Sequence, residues 1–215
     1  MSVKLVSITQ PRPGLGITTA EELITYVARV SNPKNQANID TAPKLLGYLL
    51  ENSHLSPFEL VHMTLEITTS RGIAAQILRH RSFTFQEFSQ RYSKVSKYQQ
   101  YTARRQDKKN RQNSIDDLSE ETINFFEDAQ RQVWDLSYGM YNKALDAGIA
   151  KECARFLLPL NTETTMYMSG SIRSWLHYIQ LRTGNGTQKE HMEIAESCRG
   201  IFIQLFPNIA YALGW

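Results

Sequence analysis

The sequence predicts an α+β fold, an antiparallel sheet packed with several helices. Val61, Met63, Leu65 and Ile67 alternate strictly with His62, Thr64, Glu66 and Thr68. Successive strand side chains point to opposite faces, so this period of two marks a half-buried strand of an antiparallel sheet. Helical stretches recur along the chain, yet strands and helices do not follow one another in regular βαβ units. That excludes a doubly wound, Rossmann-type sheet.

A first strand is expected over residues 3–8, and Pro11, Pro13, Gly14 and Gly16 then break regular structure. Thr18 and Thr19, with Glu21 and Glu22 three positions on, form capping boxes that start a helix running to Val30. Each pair satisfies backbone N–H groups that a first helical turn leaves free. A second helix is expected over 41–50. After the alternating strand, a helix over 71–80 turns Ile73, Ala74, Ile77 and Leu78 to the core.

Residues 93–113 are polar, basic and aperiodic and read as loop. A long helix over 118–147 has Ile123, Phe126, Val133, Leu136 and Met140 as its inner stripe, and Gly148 ends it. A short helix over 151–157 precedes Pro159, and a strand is expected over 164–169. Gly170 and Ser171 introduce a helix over 172–181, closed by Gly184 and Gly186. A last helix over 189–205 is stopped by Pro207. No repeat, low-complexity tract or linker divides the chain, so 1–215 reads as one domain.

The 215 residues are 41% hydrophobic and 21% charged, the balance of a soluble globular protein. No apolar run approaches the roughly 20 residues a membrane span needs. The start, Met1-Ser2-Val3-Lys4-Leu5, lacks the apolar core of a secretory signal. Two cysteines, Cys153 and Cys198, favour a reducing compartment over a disulfide framework, and the expected location is cytoplasmic. A net charge of +3 does not demand nucleic acid. The basic run Arg104, Arg105, Lys108, Lys109 and Arg111 reads as a solvated loop.

Chemistry concentrates after the alternating strand. Arg79-His80-Arg81 is followed by Ser89 and then by Gln90-Arg91-Tyr92-Ser93, with Phe83, Phe85, Phe88 and Glu87 between. A guanidinium offers a planar fork of donors that matches phosphate, and aromatic faces suit a flat ring. The segment reads as a site for a phosphorylated, ring-bearing ligand. On the helix over 71–80, Gln76, Arg79 and His80 are spaced i, i+3, i+4 and share one face. Arg81 falls on the apolar side if that helix continues, so either the helix ends before it or it meets a buried anion.

Arg155 lies in a mostly apolar stretch, where a salt bridge to Glu152 and a ligand contact weigh equally. Arg182 closes the helix over 172–181, and the C-terminal dipole alone accounts for it. On that helix Ile172, Trp175, Leu176 and Ile179 form the core stripe, while Arg173 and His177 pair on the polar side. His54 and Ser56 fall in a turn, and His62 and His191 read as surface residues. Gly14-Leu15-Gly16 lacks the third glycine of a dinucleotide fingerprint. There is no P-loop, no metal-spaced cluster of Cys, His and carboxylate, and no nucleophile elbow.

Arg79-His80-Arg81-x7-Ser89, with Gln90-Arg91-Tyr92-Ser93 behind it, resembles the signature of flavin-dependent thymidylate synthases. His54-Leu55-Ser56-Pro57-Phe58-Glu59, the block Ala154 to Asn161, and Ser171-Ile172-Arg173-Ser174 through Leu181-Arg182 resemble further blocks of that family, in order. The resemblance covers roughly positions 50–195.

It implies that family's α+β fold and the conversion of dUMP to dTMP, with methylenetetrahydrofolate as carbon donor, NADPH as reductant and FAD as hydride carrier. It also implies a homotetramer with active sites between subunits, and no nucleic-acid or membrane partner. The matched dUMP positions are Gln76, Arg79, Glu87, Ser89, Gln90, Arg91, Arg155 and Arg182. The matched flavin positions are Ser56, Arg79, His80, Arg81 and Glu87, with Ser171, Arg173 and His177 on the flavin-binding helix. Ser171 and His177 stand where many members carry asparagine. Arg182 matches the catalytic position that polarises the uracil ring. An arginine stays charged throughout, so its role there is electrostatic stabilisation.

Three other readings remain open at this stage. A classical thymidylate synthase needs a nucleophilic cysteine, and Cys153 is available but sits in an expected helix. An RNA-binding module would use the arginines and aromatics that interleave from Arg79 to Tyr101. A flavoprotein reducing another substrate would keep the cofactor positions alone.

Overall fold

The computed structural model describes residues 1–215 and places two long strands at the centre of one sheet. Strand β2 (His62–Ser70) pairs antiparallel with β6 (Glu163–Ser171), from His62 opposite Ser171 to Ser70 opposite Glu163. Strand β1 (Ser2–Ile8) flanks β2, and a short strand β3 (Thr84–Glu87) flanks β6, giving the order β1-β2-β6-β3. The predicted alternation holds: Val61, Met63, Leu65 and Ile67 are all fully buried. The opposite face is a ladder of hydroxyls, with Thr64 Oγ1 donating to Ser169 Oγ (2.8 Å) and Thr68 beside Thr165 (3.1 Å).

Both central strands run directly into a helix capped by the strand's own last residue. Ser70 accepts from Ile73 N and starts α3 (Arg71–Ile77), and Ser171 accepts from Ser174 N and starts α6 (Ile172–Arg182). A serine oxygen at this position satisfies one of the N–H groups orphaned at a helix start. The predicted capping box is present at Thr19 and Glu22, opening α1 (Ala20–Ala28). Helix α2 (Ala42–Glu51) follows. The core collects one sheet face, α6 with Trp175 and Tyr178, α7 (Lys189–Leu205) with Phe202, and α8 (Pro207–Leu213) with Ile209. Trp175 Nε1 donates to Met63 O (2.9 Å), so the largest core side chain is also satisfied.

Several expectations were wrong. Helix α3 stops at Ile77, so Gln76, Arg79 and His80 do not share a face. Backbone bonds from Arg79 N to Gln76 O and from His80 N to Ile77 O tighten the exit into a turn. The turn buries His80 and leaves Arg79 and Arg81 exposed. Strand β3 lies where no strand was expected, held by its pairing to β6. A small hairpin, β4 (Arg105–Gln106) with β5 (Ser114–Ile115), starts within the stretch read as loop and closes just after it. Pro207 does end α7, but it also occupies the first turn of α8, where its missing N–H costs nothing.

The long helix α4 (Glu120–Asp146) forms, capped by Ser119, but its expected inner stripe is not its inner face. Trp134 and Tyr141 are the buried residues, and Trp134 stacks between Tyr98 and Tyr138. Phe126 (41%), Val133 (52%), Leu136 (64%) and Met140 (46%) are exposed. Short helix α5 (Lys151–Ala154) and a 3₁₀ turn (Arg155–Leu157) then lead back to β6.

Candidate active site

The exit of α3 and the end of α6 meet. Arg182 Nε donates to His80 Nε2 at 2.9 Å. His80 is buried edge-on against Tyr178, with ring centroids 4.9 Å apart, and it also faces Phe83. Burial first, then the charge of Arg182 and the nearness of His177, lower its pKa from 6.5 to about 4. His80 is therefore neutral near pH 7 and offers a lone pair to the guanidinium. His191, expected at the surface, is fully buried behind this pair. Its Nε2 lies 3.2 Å from Tyr178 Oη, and burial lowers its pKa to about 3. A histidine on an apolar helix face cannot be told from a surface one by spacing alone, because the covering aromatic comes from another helix.

Arg79, Arg81, Arg155 and Arg182 pair with no acidic side chain of the chain. The suspected Arg155–Glu152 bridge does not form, because Glu152 is taken by Arg91 (2.9 Å), and Arg155 lies over the Phe156 ring instead. Glu87 bonds Arg71 and accepts from Thr164 Oγ1 (2.9 Å), rather than balancing the neighbouring arginines. Gln76 Nε2 donates to Gln188 Oε1 (2.6 Å), and both line a cavity of about 550 Å³ with Tyr101, Phe126 and Val133. Ser89 and Arg91 line a separate cavity of about 380 Å³ against Ala150–Glu152. Gln90 and Arg155 line a third, of about 240 Å³. Gln90 is buried with its Nε2 unpartnered.

A further cavity of about 630 Å³ opens between α6, the end of α2 and the 3₁₀ turn Ser56–Leu60, though Ser56 and Ser171 themselves do not line it. Arg173, Ser174 and His177 line it from α6, with Ser53, Leu55, Glu59 and Ser82 facing them. Glu59 ties the walls together: its Oε2 accepts from Ser171 Oγ (2.6 Å) and its Oε1 from Arg173 Nη1 (2.7 Å). The Ser171 hydrogen bond is the main cause that holds the Glu59 carboxyl below its usual range. Glu59 closes the His54–Glu59 block, and nothing in that block assigns it a role. Its partners lie more than a hundred positions away, and no local pattern points to them.

The family described as Thymidylate synthase complementing protein matches residues 15–208. A protein of Paramecium bursaria Chlorella virus 1, described as a probable flavin-dependent thymidylate synthase, is 58% identical over 216 residues, covering 100% of both chains. The flavin-dependent thymidylate synthase of Synechocystis sp. is 54% identical over 217 residues, again covering 100% of each. The chain belongs to the flavin-dependent thymidylate synthases.

Flavin-dependent thymidylate synthases are methyltransferases, and the fold agrees with the assignment. The structure of the UMP/dUMP methylase PolB from Streptomyces cacaoi bound with 5-Br dUMP superposes with a TM-score of 0.85. It is 24% identical and covers 99% of this chain and 94% of that one. The donor set of this flavin-dependent thymidylate synthase fits a flavin. Arg79 and Arg81, exposed and without carboxylate partners, suit a pyrophosphate, and the α6 cavity offers hydroxyls, an imidazole, the Glu59-paired Arg173 and leucine side chains to a polar ring system. No helix is long and apolar enough to cross a membrane.

Proposed function

We propose that the enzyme methylates dUMP reductively to dTMP, with methylenetetrahydrofolate as carbon donor, NADPH as reductant and FAD as the bound flavin. The observation that carries this reading is the Arg182–His80 pair. Methylation at uracil C5 needs electron density on the ring, and a fixed cation beside the carbonyl oxygens stabilises that anionic character. His80 holds Arg182 by its side-chain Nε without neutralising it, which leaves the terminal amino groups and the full charge for the pyrimidine. Arg79, Arg91 and Arg155, with Ser89 and Gln90, supply donors to the nucleotide. No base is hydrogen-bonded to the Ser89 hydroxyl, so it acts as a binding group and not as a nucleophile. Ser56, His80, Arg81, Ser171, Arg173 and His177 hold the flavin, which supplies hydride transfer when bound. Glu87, whose Oε1 is tied to Arg71 and Thr164, keeps its second carboxylate oxygen as an acceptor for nucleotide or flavin.

The same reading includes a homotetramer with sites between subunits. Two features support it. The matched nucleotide positions are divided among separate cavities of one chain, so a complete site calls for a second copy. In addition, α4 leaves Leu136 and Met140 exposed beyond Phe126 and Val133, which line the cavity next to Gln76, so its apolar face runs past the cavity onto open surface that a second copy would cover. Exposed Cys153 touches none of these residues' cavities, which leaves the cysteine-dependent alternative without a site.

The test is spectroscopic. Purified protein reconstituted with FAD should bleach with NADPH and reoxidise, without oxygen, only when both dUMP and methylenetetrahydrofolate are present, yielding dTMP by mass. Reoxidation that ignores dUMP would overturn the assignment in favour of a flavoprotein with another substrate.

A further inference from the structure

Gln76 stands at one end of a hydrogen-bonded chain that is anchored at the other end by a buried ion pair. Its Nε2 donates to Gln188 Oε1 (2.6 Å), and Gln188 Nε2 donates to Glu190 Oε2 (2.8 Å). Glu190 Oε1 in turn meets Arg104 Nη1 at 2.6 Å. Glu190 is 5% exposed and the Arg104 side chain 13%, so this ion pair is largely removed from water. Burial acts to raise the Glu190 carboxyl, but bonds from Arg104, its own backbone N–H and Gln188 bring it below the usual value.

An ionised carboxylate only accepts hydrogen bonds, and this fixes the direction of everything beyond it. Gln188 must turn its amino group to Glu190 and its oxygen to Gln76. Gln76 must then spend one N–H on Gln188. Its oxygen and its second N–H are left facing the cavity of about 550 Å³. Arg104 immediately precedes the β4–β5 hairpin, and Lys189 Nζ to Asp116 Oδ2 (3.2 Å) joins the segment after that hairpin to the start of α7. The basic stretch is thus tied at both ends to the helix that carries Glu190.

We propose that the Arg104–Glu190 pair is a positioning device for substrate: acting through Gln188, it locks the Gln76 amide in the single orientation that binds the nucleotide. This rests on Gln76 being a dUMP contact. Neither Arg104 nor Glu190 lines the cavity that Gln76 and Gln188 share, so their effect falls on nucleotide affinity more than on the chemical step.

The experiment is a double-mutant cycle on the FAD-loaded enzyme, with dUMP affinity measured by calorimetry and KM and kcat by turnover. Gln188→Met cuts the relay and leaves the ion pair whole, so it carries the test even where Glu190→Gln fails to fold. Gln188→Met should weaken dUMP binding about five- to tenfold, the scale of one lost hydrogen bond, with KM rising by a larger factor than kcat falls. Glu190→Gln should do the same. In the Gln76→Ala background, Gln188→Met should cost nothing further, because the group it positions is gone. Equal losses in both backgrounds, or unchanged affinity in Gln188→Met, would overturn the proposal while leaving Gln76 as a contact. Full dUMP affinity in Gln76→Ala would overturn the reading of Gln76 and the proposal with it.

Discussion

Arg182 and His80 are 102 positions apart in sequence and 2.9 Å apart in space. The contact exists because α3 breaks at Ile77 and folds the imidazole inward, under the last residue of α6. Arg182→Ala should abolish methylation, a loss of at least about 100-fold in turnover for a preorganised electrostatic group. Flavin should be largely retained, because the α6 cavity is untouched. Tritium release from C5-labelled dUMP measures it, and wild-type turnover would remove Arg182 from the mechanism.

The buried imidazoles give folding a pH signature. His80 and His191 titrate near 6.5 when unfolded, but burial lowers them to about 4 and about 3 when folded. Below 6.5 the unfolded chain therefore binds more protons, and stability falls as pH drops through that window towards about 3. Thermal melts between pH 7 and pH 4 should show Tm declining, with a shallower decline in His191→Leu. An identical slope in the variant would mean that His191 does not stay neutral on folding.

Glu59→Gln should weaken flavin binding by roughly fivefold, because a neutral amide grips the Arg173 guanidinium less firmly than a carboxylate. The flavin-to-protein absorbance ratio after gel filtration reads the effect, and equal flavin content would show that Arg173 needs no such anchor.

The outward face of α4 predicts assembly. Leu136→Glu, at a position 64% exposed in the single chain, should leave the fold intact and break up the proposed homotetramer. Light scattering on the eluting protein decides this: an unchanged mass would place the subunit interface elsewhere.

Gly170→Ala tests the packing beneath His80. A Cβ at Gly170 would stand 2.5 Å from Phe83 Cδ1, and that ring also packs on Trp175 at 4.8 Å. Overpacking of this kind costs about 1–3 kcal/mol. Chemical denaturation should show that loss, and catalysis should fall as well, since Phe83 braces His80. Unaltered stability would mean that the ring has room to move.

The elements that local chemistry defines were legible from the residues. Alternation marked β2, Thr19 with Glu22 marked the start of α1, and glycines and prolines marked the breaks, because each rests on neighbours within one or two turns. The arginine motif and the blocks around it likewise marked the family to which the chain belongs. Where α3 ends was not readable, because His80 is drawn inward by Arg182 and Tyr178, both on α6. The short strand β3 exists only through its pairing to β6. The amphipathic period of α4 was correct, but a period does not name its partner, and the aromatic stack of Trp134 with Tyr98 and Tyr138 took the inner face. Glu59, Gln188 and Glu190 gained their places in the same way. Polar side chains acquire a function from the groups that desolvate and hydrogen-bond them, and those groups are brought together only by long-range packing.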